Sequence, residues 1–189
     1  MQAKHATRDE WLGGAIASLR ADFSAIGYPI PDTLRASIGF PSKGARPSRN
    51  QRIGECWGKA IPQVYVSPVL ADPIRILDVL VHELVHAAVG CECGHKGPFR
   101  KAALAIGLEG KMTATVAGEA LAARLAALAD SLGILPHEAL DLSTRKKQGT
   151  RMLKAECSGC EYIVRLTRKM IDLHGCPICP GCEEPMQEA

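Results

Sequence analysis

The chain has 189 residues, a hydrophobic fraction of 47%, aromatics of only 4%, eight cysteines and a formal net charge of +3. That length suits one medium domain with a small appendage, and the core must be built from aliphatic and alanine side chains. No apolar run reaches membrane-spanning length and the N-terminal residues lack a signal-like apolar region, so a cytoplasmic chain with no membrane partner is expected. In that compartment cysteines read as metal ligands rather than disulfides. So small a net charge says nothing about nucleic acid.

Thr7-x-x-Glu10 is a capping-box pattern, and Trp11, Ile16, Leu19, Phe23 and Ile26 continue at helical spacing towards Gly27. After the turn Tyr28-Pro29-Ile30-Pro31, residues 34–40 read as a strand. Residues 42–52 follow with four basic side chains, Lys43, Arg46, Arg49 and Arg52, no acid, and turn formers throughout. This loop suits either a solvated connection or contact with a phosphate backbone. Residues 52–58 and 63–67 read as two more strands, with Val64 and Val66 on the buried face. The free edge of a sheet can take an extended peptide as an added strand; whether residues 63–67 are such an edge is not legible from sequence. Cys56 and Trp57 read as core residues.

Asp72-Pro73 marks a helix start, an N-cap before a proline at the first helical position. The predicted helix covers 73–89, with an apolar stripe of Ile74, Leu77, Val81, Leu84, Val85 and Ala88, and ends near Gly90 in a left-handed cap. It carries His82-Glu83-Leu84-Val85-His86. Histidines four residues apart project from one face and can grip one zinc ion, with Glu83 beside them as the base for a water. Zinc makes such a water acidic and polarises a peptide carbonyl. Two buried structural histidines are the plain alternative. The third protein ligand is expected to be His95, brought round by a Gly-containing loop, with Cys93 as the competitor. Three protein ligands leave one position open, as catalytic sites require. The metzincin spacing is not met.

Gly97-Pro98 starts a further helix through Phe99, Ala102, Ala103 and Ile106 to Gly107, with Phe99 expected to pack on the catalytic helix. Residues 108–114 read as a connector, and 115–132 as an alanine-rich helix packing through Val116, Leu121, Leu125 and Leu128. Residues 133–143 read as irregular, with His137 at the surface or capping. The polar, basic stretch 144–150 reads as a linker between a first domain, 1–143, and a second, 151–189.

Cys157-x-x-Cys160 is one half of a four-thiolate zinc knuckle. The other half comes from Cys176, Cys179 and Cys182, which offer two overlapping pairs, each at a gap of about 15 to 20 residues. Four thiolates make a closed structural site that can fold a segment too short for its own core. His174 is a further substitute. Between the halves, residues 162–169 read as a hairpin strand carrying Arg165, Arg168 and Lys169. With Arg145, Lys146, Lys147, Arg151 and Lys154 they give this tail a basic surface, suited to phosphate or to plain solvation.

His82-Glu83-Leu84-Val85-His86, then His95-Lys96-Gly97-Pro98-Phe99, preceded by Gly54-Glu55-Cys56-Trp57 and followed by a cysteine-rich tail, resembles the SprT-like zinc metallopeptidases, more narrowly their short bacterial and bacteriophage members. The resemblance runs from about Leu34 onward. It implies an α+β fold, a minimal gluzincin-like peptidase domain with a C-terminal zinc ribbon, holding one catalytic and one structural zinc ion. It also implies Cys179-Pro180-Gly181-Cys182, followed by Met186, as the second half of the ribbon site. A phage-encoded member would work in the host cytoplasm. The eukaryotic relatives called Spartan are DNA-dependent proteases acting on proteins crosslinked to DNA.

Two functions follow as expectations. One is a zinc endopeptidase acting on protein or peptide substrates, with single- or double-stranded DNA as a localising or activating partner. The other is a nucleic-acid- or transcription-complex-binding ribbon protein with a vestigial peptidase domain. An intact Glu83 favours chemistry, since a structural site has no use for it.

Overall fold

Residues 3–42, 52–143 and 152–189 are described by the structure, a computed structural model. Among them are five helices and three small sheets in a mixed α/β arrangement, and the chain divides into two units, Met1–Leu142 and Ser143–Ala189. The proposed contacts of Lys43, Arg46, Arg49, Arg145, Lys146, Lys147 and Arg151 lie outside the described residues.

The first unit opens with α1 (Arg8–Ala25). Its capping box is formed: the Glu10 amide donates to Thr7 Oγ1 and the Glu10 carboxylate reaches back to the Thr7 amide. Trp11, Leu12, Ala15, Ile16, Leu19 and Phe23 are buried along one side. Three short strands follow, β1 (Arg35–Ile38), β2 (Gly54–Trp57) and β3 (Gln63–Val66), in the order β1-β3-β2. β3 is central, parallel to β1 and antiparallel to β2. Among the described residues the edge strand next to residues 73–89 is therefore β2, not residues 63–67. Strand alternation also corrects the reading of Trp57 as core. Cys56 faces inward, half-buried against the core, whereas its neighbour Trp57 is 67% exposed.

Helix α2 (Pro73–Val89) occupies the predicted span, begun by Asp72, whose carboxylate accepts the Arg75 amide at 2.7 Å. Gly90 ends it at φ 103°, ψ 123°, a positive φ outside the left-handed helical region that was expected. Leu77, Leu80, Val81, Leu84 and Val85 are fully buried, each worth about 1.5–3 kcal/mol relative to exposure. Ile74 stands exposed in the first turn and Ile76 takes its place in the core. The helix is wrapped by β2, β3, α3 (Pro98–Ile106), β5 (Ala114–Ala117) and α4 (Glu119–Leu132).

Residues 108–117 depart from expectation. The predicted connector is a hairpin of β4 (Leu108–Lys111) and β5, and the alanine-rich helix starts only at Glu119. The β-branched run Thr113, Thr115, Val116 favours a strand, and Gly118 breaks it from the helix. Val116, read as packing, is 50% exposed, whereas Thr115 is buried.

In the second unit, β6 (Leu153–Glu156) lies between β7 (Ile163–Leu166) and β8 (Gln187–Glu188). Arg168 and Lys169 do not continue the hairpin strand. Thr167 caps a short helix, α5 (Arg168–His174), that contains them. No helix among the described residues is long and apolar enough to cross a membrane.

Candidate metal centres

His82, Glu83 and His86 descend from the buried length of α2 into a cleft of about 700 Å³. Arg52 to Cys56 form one wall, Thr113 to Thr115 another, and Cys91, Glu92, Gly94 and His95 close the end. His95 comes from the turn after α2, where Gly94 (φ 65°) and Gly97 (φ 53°) take backbone angles that other residues rarely adopt. Its Nε2 lies 3.3 Å from His82 Nε2 and 3.1 Å from His86 Nε2. Phe99, fully buried, touches all three rings, with centroids at 5.0, 4.3 and 4.9 Å from those of His82, His86 and His95.

Three nitrogens this close fit a shared cation. Zn–N bonds of about 2.0–2.1 Å in a tetrahedron put neighbouring donors about 3.3–3.4 Å apart. The donor set is neutral imidazole, the commonest choice for catalytic zinc. Burial, reinforced by His95 and Arg75, pushes His82 down to about 4, and burial, reinforced by the other two rings, pushes His86 down to about 3. Both therefore stay neutral at physiological pH. His95 is lowered as well, by burial and by Arg52. Cys93, the competing ligand, is not part of the group.

Glu83 is 6% exposed. Burial pushes its carboxyl up to about 8, with the Glu55 charge adding to this, while Arg52 and the Cys56 amide oppose it. Glu55 itself, though desolvated, is held below its ordinary range by hydrogen bonds from Ser42 and by Arg52, whose guanidinium lies 2.5 Å from it. Arg52, proposed for phosphate contact, is thus an ion-paired wall of this cleft.

Two residues of the site have roles other than those the sequence suggests: Thr115 reads there only as part of a helix, and Cys91 as a thiol near the metal ligands, soft enough to bind zinc. Thr115 Oγ1 is 2.7 Å from His82 Nδ1. Cys91, just past the end of α2, forms a disulfide with Cys56 of β2, which corrects the metal-ligand reading for these two cysteines alone. The pairing brings together residues 35 apart in sequence, and no spacing rule could have found it.

The second centre is in the second unit. The sulfurs of Cys157, Cys160, Cys179 and Cys182 lie within 4.8 Å of one another, with Cys160 and Cys179 at 3.5 Å. A tetrahedron of Zn–S bonds of about 2.3 Å has edges of about 3.8 Å. The amides of Gly181 and Cys182 hold the Cys179 thiol down to about 7 against its burial, and sharing with Cys160 and Cys157 pushes Cys182 up to about 12. Cys176 and His174 are outside the group; Cys176 packs beside it. The small core here is Ala155, Cys157, Cys179 and Met186. Arg165 and Lys169 are exposed, whereas Arg168 is committed to Glu188 at 2.9 Å.

No protein-family model, curated protein or solved structure matches this chain.

Proposed function

We propose that the chain is a zinc-dependent endopeptidase of the SprT-like kind, a minimal gluzincin-like domain with a C-terminal zinc ribbon. The observation that carries this is the convergence of three imidazole Nε2 atoms beside one buried carboxyl group, Glu83, in a single cleft. A merely structural site would have no use for that carboxyl.

His82, His86 and His95 would hold the ion, which supplies Lewis acidity towards the scissile carbonyl and a water. Glu83 takes the proton of the attacking water and returns it to the leaving amine, which makes it the general base and then the general acid. Burial keeps the Glu83 carboxyl protonated in the cleft without a cation; the charge of an ion on the three histidines would lower it towards the base form, which the Cys56 amide also favours. The free edge of β2 suits an extended peptide that pairs as an added strand along the cleft wall. The substrates are proteins or peptides; DNA-associated proteins enter as one class to test, on the analogy of the eukaryotic relatives. The four cysteines would hold a structural zinc ion.

The test compares wild type with Glu83→Gln on a basic protein substrate, zinc-loaded, with and without single-stranded DNA. Cleavage by wild type should fall about 10²–10⁴-fold in the variant, with two zinc ions bound to each chain in both. Stimulation by DNA would assign DNA a regulatory role. Equal silence from both proteins, with two ions bound and DNA binding intact, would favour the ribbon-binding reading instead.

A further inference from the structure

The geometry points to Thr115 as a positioning residue for the metal site: its hydroxyl pins His82 in the one tautomer that directs Nε2 at the ion. The inference rests on the reading of the three histidines as metal ligands.

A neutral imidazole carries its proton on one nitrogen and a lone pair on the other. A histidine that binds metal through Nε2 must carry the proton on Nδ1, and an acceptor there fixes both tautomer and ring angle. His82 Nδ1 faces Thr115 Oγ1 at 2.7 Å, while its Nε2 faces His95. Thr115 is only 7% exposed, so water competes poorly for its hydroxyl. A buried hydroxyl left without a partner would itself be costly.

The fold presents this hydroxyl for a reason independent of the histidines. In β5 the pleat exposes Ala114 and Val116 and turns Thr115 inward, and pairing with Gly110 of β4 sets the register. The same turn inward places it along the cleft wall next to α2. His86 is held differently. Its Nδ1 is buried with no hydrogen-bond partner among the described residues, and its ring lies against Phe99 at 4.3 Å. One ligand is therefore oriented by a polar pin and its neighbour by apolar packing. A hydroxyl also adds no negative charge to a cleft that already holds Glu55 and Glu83.

The test uses the full chain with Thr115→Val, which keeps the shape and loses the acceptor, and Thr115→Ser, which keeps the acceptor and loses the methyl group. Zinc affinity is read by competition with a chromophoric chelator, and the four-cysteine site serves as an internal reference. Thr115→Val should weaken one of the two zinc sites about 10–100-fold and leave the other unchanged, while Thr115→Ser stays close to wild type. Unchanged affinity in Thr115→Val would overturn the inference, and so would equal losses in both variants, which would make the methyl group the important part. In case Thr115→Val fails to fold, ring ¹⁵N shifts of His82 in wild type give a second reading. The Nδ1–H tautomer supports the inference, and the Nε2–H tautomer ends it. Wild type that cleaves substrate while Thr115→Val binds both ions normally would remove only this inference. Wild type that binds a single ion, at the cysteines, would remove the peptidase reading itself.

Discussion

Gly54 lies directly against Glu83: a β-carbon added to the glycine would stand 2.5 Å from Glu83 Oε1 and 2.7 Å from Val79 Cγ1. Val79 is core and cannot yield, and the Glu83 carboxyl can yield only by turning into the cleft. The edge strand β2 therefore passes close to the proposed base only because residue 54 has no side chain.

Gly54→Ala should displace the Glu83 carboxyl while leaving the three histidines in place. A misplacement of about 1 Å costs on the order of 10²-fold in rate. The expected result is a loss of peptidase activity of that size with zinc stoichiometry still two. Activity equal to wild type would show that the carboxyl position does not matter.

The identity of the third ligand is checked by metal counting. His95→Ala should reduce bound zinc from two ions to one after dialysis against a mild chelator, whereas Cys93→Ser should keep two. The reverse pattern would transfer the role to Cys93.

The buried groups predict a stability maximum near pH 6.5 for chelator-treated protein. Below 6.5 the histidines of the unfolded chain take up protons that His82 and His86 refuse until about 4 and about 3, so stability is lost as pH falls. Glu83 acts in the opposite sense. Its unfolded carboxyl ionises near 4.5 and its folded one only near 8, so stability is lost as pH rises through that window. His82 and His86, joined by His95, outweigh one carboxyl below 6.5, and above it the carboxyl dominates. Each limb should slope by on the order of 1 kcal/mol per pH unit. Denaturation followed by the fluorescence of the buried Trp11 reads both limbs, and Glu83→Gln should flatten the alkaline one.

The Cys56–Cys91 bond ties β2 to the turn that carries His95. Closing such a loop typically contributes about 2–4 kcal/mol. The Cys91→Ser variant should lower the denaturation midpoint of the first unit, and a dithiol reductant should bring wild type to the same value. A variant as stable as the oxidised wild type would mean that the bond constrains nothing.

Much of the site was legible because its signals are local. The spacing of His82, Glu83 and His86 on a capped helix needs only helical periodicity, and Asp72-Pro73 marked its start. The cysteine knuckles are likewise short-range, although the choice of Cys179 with Cys182 over Cys176 came from resemblance and agrees with the sulfur cluster. The reading failed where neighbours mislead. Residues 115–117 lie beside an alanine-rich helix yet join a hairpin, because Gly110 and the β-branched Thr113, Thr115 and Val116 allow β5 to pair with β4. Trp57 looked like core by residue type, but strand alternation turned it outward.

Local spacing alone carried the helix at 73–89 with His82, Glu83 and His86, and the Cys157–Cys160 pair, since each depends on residues within a turn or two of one another. The tertiary structure alone shows that β2 is an edge strand beside α2 among the described residues, that Gly54 makes room for Glu83, that Cys56 meets Cys91 and that Thr115 faces His82. Those contacts join residues about 30 positions apart. They arise from how strands pack around α2, a property that no local pattern of residues encodes.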